Sequence, residues 1–306
     1  MKDPSLIFIV GPTAVGKSEI SLLLAQSLDC EIISCDALQV YREIEIANDK
    51  PKAQARGIIP HHLVDLISVT EEFNVAMYRQ LAESAIHEIQ ARGKMPLIVG
   101  GSGMYMSVLL DGIFEGISVE EELREELSRE LSEKGPSVLH ERLKSLDPQA
   151  AARIHPNDPQ RIIRALEVVL STGQPLSQLQ QKREGLWGKM SISIFALNRP
   201  REELYQRAEA RVEDMFAKGL IEEIKRISAL PLSVTAQKLI GVPEIMGYLK
   251  GEHDLERAKY LMKLNTRHYV KRQLTWFRRD KRLTWIDIAS TQTAQQVAEL
   301  IRCHST

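Results

Sequence analysis

The residues Gly11, Pro12, Thr13, Ala14, Val15, Gly16, Lys17 and Ser18 satisfy G-x-x-x-x-G-K-[ST] at every fixed position. Such a loop captures a phosphate or diphosphate. Its glycines let the backbone curl so that successive N–H groups point at one anion, and the positive end of the following helix adds to the field. Lys17 contributes a point charge, and the Ser18 hydroxyl can hold a magnesium ion. A second candidate is Asp36, at the end of the apolar run Glu31-Ile-Ile-Ser-Cys-Asp36. A carboxylate close to a phosphate loop can activate an acceptor group. Asp is equally common as a helix cap or turn residue, and position alone leaves both readings open.

These residues need a strand–loop–helix frame, and the flanking sequence supplies one. Leu6 to Val10 reads as a buried parallel strand, and Ile20, Leu23, Leu24 and Leu28 follow at helical spacing. In an open parallel sheet the carboxyl ends of the strands line the ligand crevice, which brings Asp36 close to the loop. A helix is expected over Asn74–Arg92. A third strand, Pro96–Gly100, runs into Gly101-Ser102-Gly103 and a helix carrying Tyr105 and Leu109. Many nucleotide-hydrolysing enzymes end an apolar strand with an Asp that holds magnesium. Here the strand ends in glycines and the carboxylate follows strand two, an arrangement that suits group transfer better than a switch GTPase. Ser191–Leu197 alternates and adds a further strand, and Arg201–Leu220 reads as a helix with Arg207 and Arg211 one turn apart.

Between the sheet segments lies a stretch without strand-like alternation, and residues 115–188 are expected to form an all-helical insertion. Val119 to Lys134 alternates Glu and Arg around Leu123, Leu127 and Leu131, the pattern of a solvated amphipathic helix. Asp147-Pro148 and Asp158-Pro159 each read as a helix N-cap and first position. Arg161 and Arg164 share one helix face, which by itself reads as a solvated edge. Residues 257–282 are strongly basic, with Asp280 as their one acid, and Lys259, Lys263, Arg267 and Lys271 recur every fourth residue. Like charges at that spacing repel. A stripe without acid partners therefore points to an anionic ligand, and to nucleic acid in particular given Tyr260, Tyr269, Trp276 and Phe277 nearby.

Composition frames these readings. The chain has 306 residues, 43% of them hydrophobic and 26% charged, with net charge −1, so any nucleic-acid signal is local rather than global. No apolar run approaches membrane-spanning length and no signal segment precedes the first strand, so no membrane partner is expected. Cys30, Cys35 and Cys303 lack C-x-x-C spacing, which fits reduced thiols in the cytoplasm and argues against zinc. The adjacent His61 and His62 do not make a metal grip.

The chain resembles the tRNA dimethylallyltransferases, also called tRNA isopentenyltransferases or IPP transferases, over nearly its whole length. The matching stretches are GPTAVGKS at 11–18, ISCDALQVYR at 33–42, DKP at 49–51, PHHLVD at 60–65 and LIVGGSGMY at 97–105. IHPNDPQRIIRALEV at 154–168, ALNRPREELYQRAEARV at 196–212 and TRHYVKRQLTWFR at 266–278 match as well. Ser18 and Ser102 stand where Thr is usual, Ala47-Asn48 replaces Gly-Thr, and Gly241-Val-Pro-Glu244 replaces a Gly-Tyr-Lys-Glu type turn. The resemblance implies an α/β fold with a P-loop NTPase-like parallel sheet, its core at 1–114 and 189–306, and a helical insertion at 115–188 that contacts tRNA. It implies transfer of a dimethylallyl group from its diphosphate to the N6 amine of the adenine 3′-adjacent to the anticodon, with Mg2+ as cofactor and no obligate protein partner. Lys17 and Arg211 would stabilise the departing diphosphate, and Asp36 would take the amine proton. Asp36, Ala37, Leu38, Gln39, Ser102, Arg124, Gln160, Arg161, Ile162, Ile163 and Arg164 are the positions it implies for tRNA contact. Other chemistries share the phosphate loop: a P-loop small-molecule kinase, an isopentenyltransferase of free adenine nucleotides, and a non-catalytic RNA-binding module.

Overall fold

In the computed structural model, which describes residues 5–114 and 121–305, six strands form one parallel sheet. They are β1 (Leu6–Val10), β2 (Cys30–Ser34), β3 (His61–His62), β4 (Met95–Gly100), β5 (Ile192–Asn198) and β6 (Thr284–Asp287), in the order β3-β2-β4-β1-β5-β6. This is a P-loop NTPase-like α/β sheet. β1 is central, with Ile7 beside Leu97 of β4 and Ser193 of β5. A strand covered on both faces has to be apolar throughout, and all five residues of LIFIV are buried. Helix Lys17–Ser27 packs Ile20 and Leu24 into a core shared with Val297, Ala298 and Ile301 of helix Ala294–Ser305 and with Val270 and Leu274 of helix Leu255–Phe277. The chain leaves β1 toward β2 and later crosses to β5 on the other side, so the order reverses at β1. That reversal opens a crevice at the carboxyl ends, where the phosphate loop begins.

Two strands escape the sequence pattern. β3 is two residues long and both are histidines; His62 Nε2 lies 2.7 Å from Glu31 Oε2, which Arg92 also engages at 2.7 Å. β6 is a short edge strand pairing Trp285 with Ala196. The helix expected from Asn74 runs Val75–Ala91, with the Asn74 carboxamide accepting from the N–H groups of Ala76 and Met77. The segment expected to be one helix from Arg201 to Leu220 divides into Arg201–Ala217 and Leu220–Ile227 at Gly219, whose φ of 95° stops the first helix. At the variant turn, Gly241 has φ 109° and its N–H donates to Glu244 Oε2 at 2.7 Å, capping helix Val242–Leu249.

The basic stripe needs correction. Lys263 meets Glu213 at 2.5 Å, Lys259 meets the same carboxylate at 4.0 Å, and Arg267 meets Glu209 at 3.3 Å. Both acids lie on helix Arg201–Ala217, packed against helix Leu255–Phe277. Lys259 also meets Glu256 of its own helix at 3.2 Å, so the stripe from Lys259 to Arg267 is an ion-pair seam and not an open anion-binding face, while Lys271 lies beyond it. Counting charges along one helix could not reveal partners contributed by another.

The described residues of Met1–Leu110 and Trp187–Thr306 form one compact unit, and those of Asp111–Leu186 form a second. The second unit is helical. Glu121–Lys134, Pro136–Leu146, Pro148–Arg153, Pro159–Thr172 and Leu176–Gln181 surround a core that includes Leu127, Leu143, Ile162 and Leu166. Val119 and Glu120, with which the expected amphipathic helix begins, lie outside the described residues. Asp147 and Asp158 cap their helices by accepting from the N–H groups of Ala150 and Arg161, each ahead of a proline. No described helix is long and apolar enough to cross a membrane.

Candidate active site

The phosphate loop is held in shape from outside. Gly11 has φ 149°, and a Cβ there would lie 2.7 Å from the Leu197 carbonyl oxygen of the neighbouring strand, so only glycine fits. Arg207 Nε donates to the Ala14 carbonyl at 2.8 Å and Arg199 Nε to that of Val15 at 3.0 Å. Arg211 Nη1 donates to the Thr13 hydroxyl at 2.8 Å. Arg207 therefore braces the outside of the loop, whereas Arg211 reaches its anion-binding side together with Thr13.

Lys17 folds back on the loop, its Nζ donating to the carbonyls of Gly11 at 2.9 Å and Pro12 at 2.8 Å. Desolvation holds its pKa down at about 8; nearby Asp36 opposes the shift and Arg211 adds to it. An ammonium destabilised in this way gains charge stability when an anion arrives.

Gln273 is a site residue that the sequence did not disclose. Its Oε1 accepts from the Thr13 N–H at 2.9 Å, and its Nε2 donates to the Gly101 carbonyl at 3.0 Å. One buried amide thus ties the phosphate loop to the second glycine loop. The available signal was a polar residue on the apolar face formed by Thr266, Val270 and Phe277, where burial demands a partner.

Asp36 lies two residues past β2, and its Oδ1 accepts from the Leu38 N–H at 2.9 Å. It is therefore a local turn former, and it also lines two cavities. The first, about 500 Å³, has Lys17, Ser18, Asp49 and Arg211 in its wall. The second, about 310 Å³, has Thr13, Ala37 and Leu38 near Asp36 and an apolar side of Val212, Met215, Leu239 and Met262. Asp36, Arg211, Thr13 and Tyr269 border both. Gln39 lines the first cavity, its Oε1 accepting from the Ser34 hydroxyl at 2.8 Å. Ser102 stands behind Asp36, its N–H donating to the Cys35 carbonyl at 3.1 Å. Burial pushes the adjacent Cys35 thiol up to about 12, so it stays protonated and unreactive.

The loop carrying Asn48 and Asp49 is pinned at both ends. The Glu223 carboxylate accepts from the N–H groups of Glu45 at 2.8 Å, Ile46 at 2.9 Å and Ala47 at 2.9 Å. Beyond it, buried Lys50 donates to the Tyr41 carbonyl and pairs with Asp65, which also binds Arg56. The DKP and PHHLVD motifs therefore meet through Lys50 and Asp65. Between the pins, Asp49 presents Oδ2 to Arg211 at 3.4 Å, and Asn48 Nδ2 donates to the Leu38 carbonyl at 2.5 Å.

In the helical unit, Arg124 meets Glu167 at 2.6 Å and Arg164 meets the same carboxylate at 3.1 Å. Arg161 pairs with Asp158 at 3.4 Å, Gln160 is exposed, Ile163 is partly buried and Ile162 is wholly buried in the core. Among the described residues no cluster of three or more His, Cys, Asp or Glu could hold a metal. The Ser18 hydroxyl and the Asp36 and Asp49 carboxylates do line one cavity. These hard oxygen donors fit Mg2+, which uses few protein ligands beside water and phosphate oxygens.

A family model described as IPP transferase matches residues 39–280, and one described as isopentenyl transferase matches residues 4–65. The tRNA dimethylallyltransferase of Thermotoga petrophila is 41% identical over 285 residues, covering 92% of each chain. That of Halothermothrix orenii is 41% identical over 94% of this chain and 89% of its own. The crystal structure of the tRNA isopentenylpyrophosphate transferase of Bacillus halodurans matches with TM-score 0.70 and 37% identity, over 98% of this chain and 96% of that one. A eukaryotic dimethylallyltransferase acting on tRNA matches with TM-score 0.83 and 30% identity, over 98% of this chain and 79% of that one.

Proposed function

This chain belongs to the IPP transferase family, and from that membership we propose that it is a tRNA dimethylallyltransferase. It transfers a dimethylallyl group from dimethylallyl diphosphate to the N6 amine of the adenine 3′-adjacent to the anticodon, releasing diphosphate. The observation that carries this reading is the pair of cavities sharing Asp36 and Arg211. The cavity containing Lys17 and Ser18 suits the diphosphate. The one with an apolar side suits an adenine turned out of the anticodon loop, as chemistry on a stacked base requires. The reacting carbon and nitrogen then meet where the cavities join.

An adenine amine is a poor nucleophile because its lone pair is delocalised into the ring. The carbon–oxygen bond is therefore largely broken before the carbon–nitrogen bond is complete, and its electron pair leaves with the diphosphate. The loop N–H groups, Lys17 and Arg211 stabilise that growing charge. Asp36 orients the amine and takes the proton it loses on alkylation. Ser18, with Asp36 or Asp49 nearby, would hold Mg2+, whose contribution when bound is to neutralise charge on the diphosphate. Asp36 to Gln39, Ser102, Arg124, Gln160, Arg161, Ile163 and Arg164 are read as tRNA-contacting positions, whereas Ile162, expected among them, is buried in the helical core and is not one of them; the cytoplasm is read as the place of work.

Incubation with radiolabelled dimethylallyl diphosphate and either bulk tRNA or AMP tests the reading. Label should enter tRNA and not AMP. Label in AMP alone would mean an enzyme of free nucleotides. No transfer, with ATP-dependent phosphorylation of a small alcohol instead, would mean a kinase.

A further inference from the structure

Asp49 puts a carboxylate in the wall of the phosphate-loop cavity, beside Lys17, Ser18 and Arg211. A negative group there opposes the anion that the loop binds. Its placement is fixed by the fold. Asp49 has φ 45°, in the left-handed region, and its N–H donates to the Ile46 carbonyl at 3.1 Å. On one side the N–H groups of Glu45, Ile46 and Ala47 end on the buried Glu223 carboxylate. On the other, buried Lys50 ends on Asp65 and the Tyr41 carbonyl. The backbone is held on both flanks, and the half-exposed carboxylate between them faces Arg211.

Asp49 Oδ2 lies 3.4 Å from Arg211 Nη1, the same nitrogen that donates to the Thr13 hydroxyl at 2.8 Å. Nη1 carries two hydrogens, so both are engaged in the resting protein. A diphosphate oxygen that reaches this nitrogen has to share or displace one of the two partners. Thr13 belongs to the phosphate loop and stays with the anion. Asp49 is the partner that yields, because its contact is the longer and the more exposed.

We propose that Asp49 is a positioning residue and a built-in competitor of the diphosphate. It holds Arg211 at the anion site in the free protein and takes it back when the product diphosphate leaves. The inference rests on the diphosphate reading of the phosphate loop given above. On substrate binding Arg211 exchanges one anionic partner for another, which adds little net affinity. As charge grows on the bridging oxygen, the exchange turns in favour of the diphosphate, so the arginine acts mainly in the transition state. After cleavage the diphosphate carries that full charge, and the waiting carboxylate weakens its hold on the site.

The test is calorimetric affinity for inorganic diphosphate, in EDTA and again with Mg2+, for the wild type, Asp49→Asn, Arg211→Ala and the double variant. Asn enters the left-handed region as readily as Asp, so the first substitution removes charge and leaves the turn. In EDTA, Asp49→Asn should bind diphosphate about three- to tenfold more tightly than wild type. Product inhibition of turnover by added diphosphate should strengthen by the same factor. In the Arg211→Ala background the same substitution should change affinity less than about twofold, because a half-exposed charge acting alone is screened by water and salt. Tightening that persists in full without Arg211 makes Asp49 a general charge on the cavity and overturns the inference. An unchanged affinity of Asp49→Asn overturns it as well. Weaker binding by Asp49→Asn once Mg2+ is present makes the residue a metal ligand and also overturns it. These three results leave the function standing. A wild type that binds no diphosphate contradicts the functional reading, and the inference falls with it.

Discussion

At the scale of single residues, Arg211 and Lys17 carry the electrostatic argument, and each has its own test. In the resting state Arg211 is shared between Thr13 and Asp49. In the complex proposed above, the diphosphate would have the loop amides and Lys17 as partners, so one more arginine would add little to ground-state binding. As the carbon–oxygen bond breaks, added charge on the bridging oxygen strengthens that contact, and only such a difference raises turnover. Arg211→Ala should lower the single-turnover rate at least tenfold while changing the affinity for dimethylallyl diphosphate much less. A raised dissociation constant with an unchanged maximal rate would reassign Arg211 to uniform binding. Arg207→Ala is the comparison, since Arg207 braces the Ala14 carbonyl and should act mainly on the loop's stability.

Lys17 makes a pH prediction. Its depressed pKa of about 8 means that the free protein loses this charge as pH rises through that value. A bound diphosphate raises the pKa again, so binding above this point takes up a proton and weakens as pH increases. Calorimetry at pH 8–9 in buffers of different ionisation enthalpy should register uptake of roughly half a proton or more as dimethylallyl diphosphate binds. Zero uptake would place the Lys17 pKa outside this window. The loop and Lys17 were legible in the sequence because a contiguous motif encodes them, whereas for Asp36 position alone left acceptor activation and a turn residue both open, and the bond from the Leu38 N–H shows that it does form a turn. Gln273 was not legible, because its partners Thr13 and Gly101 are 260 and 172 positions away and only the fold brings them together.

At the scale of elements, the segment from Glu45 to Lys50 shows how the site is positioned. It has no regular structure, so its backbone donors need outside partners, and Glu223 supplies two oxygens for three of them. Glu223→Gln keeps the shape but turns an amide N–H toward backbone N–H groups, leaving at least one buried donor unsatisfied. It should cost about 1–3 kcal/mol in urea unfolding. It should also slow turnover, because Asp49 and Asn48 border the cavities through this segment. An unchanged unfolding midpoint would mean that the segment keeps its form without the carboxylate. β1, β2 and β4 were visible as apolar runs and β5 as an alternating one, and three helices of the second unit showed as an amphipathic segment or by their Asp-Pro starts, whereas Pro136–Leu146 and Leu176–Gln181 were not singled out. β3 was hidden because side-chain bonds from His62 replace an apolar pattern, and β6 because only four residues follow a basic run. The basic stripe was misread for a related reason: the charges were plain, but the acids that neutralise Lys263 and Arg267 belong to another helix.

At the scale of the whole molecule, the proposed function has a phosphate loop and a carboxylate, both bordering cavities that share lining residues, direct the alkylation of one adenine of a large RNA. Position-resolved mass analysis of tRNA nucleosides tests this most directly, after incubation with dimethylallyl diphosphate and either wild type or Asp36→Asn. Wild type should add one five-carbon unit to a single adenine, 3′-adjacent to the anticodon. Asp36→Asn should bind the same tRNA comparably and form the same product about two to four orders of magnitude more slowly, the range for loss of a positioned base. Modification elsewhere, no modified adenine at all, or an Asp36→Asn variant working at the wild-type rate would contradict the account.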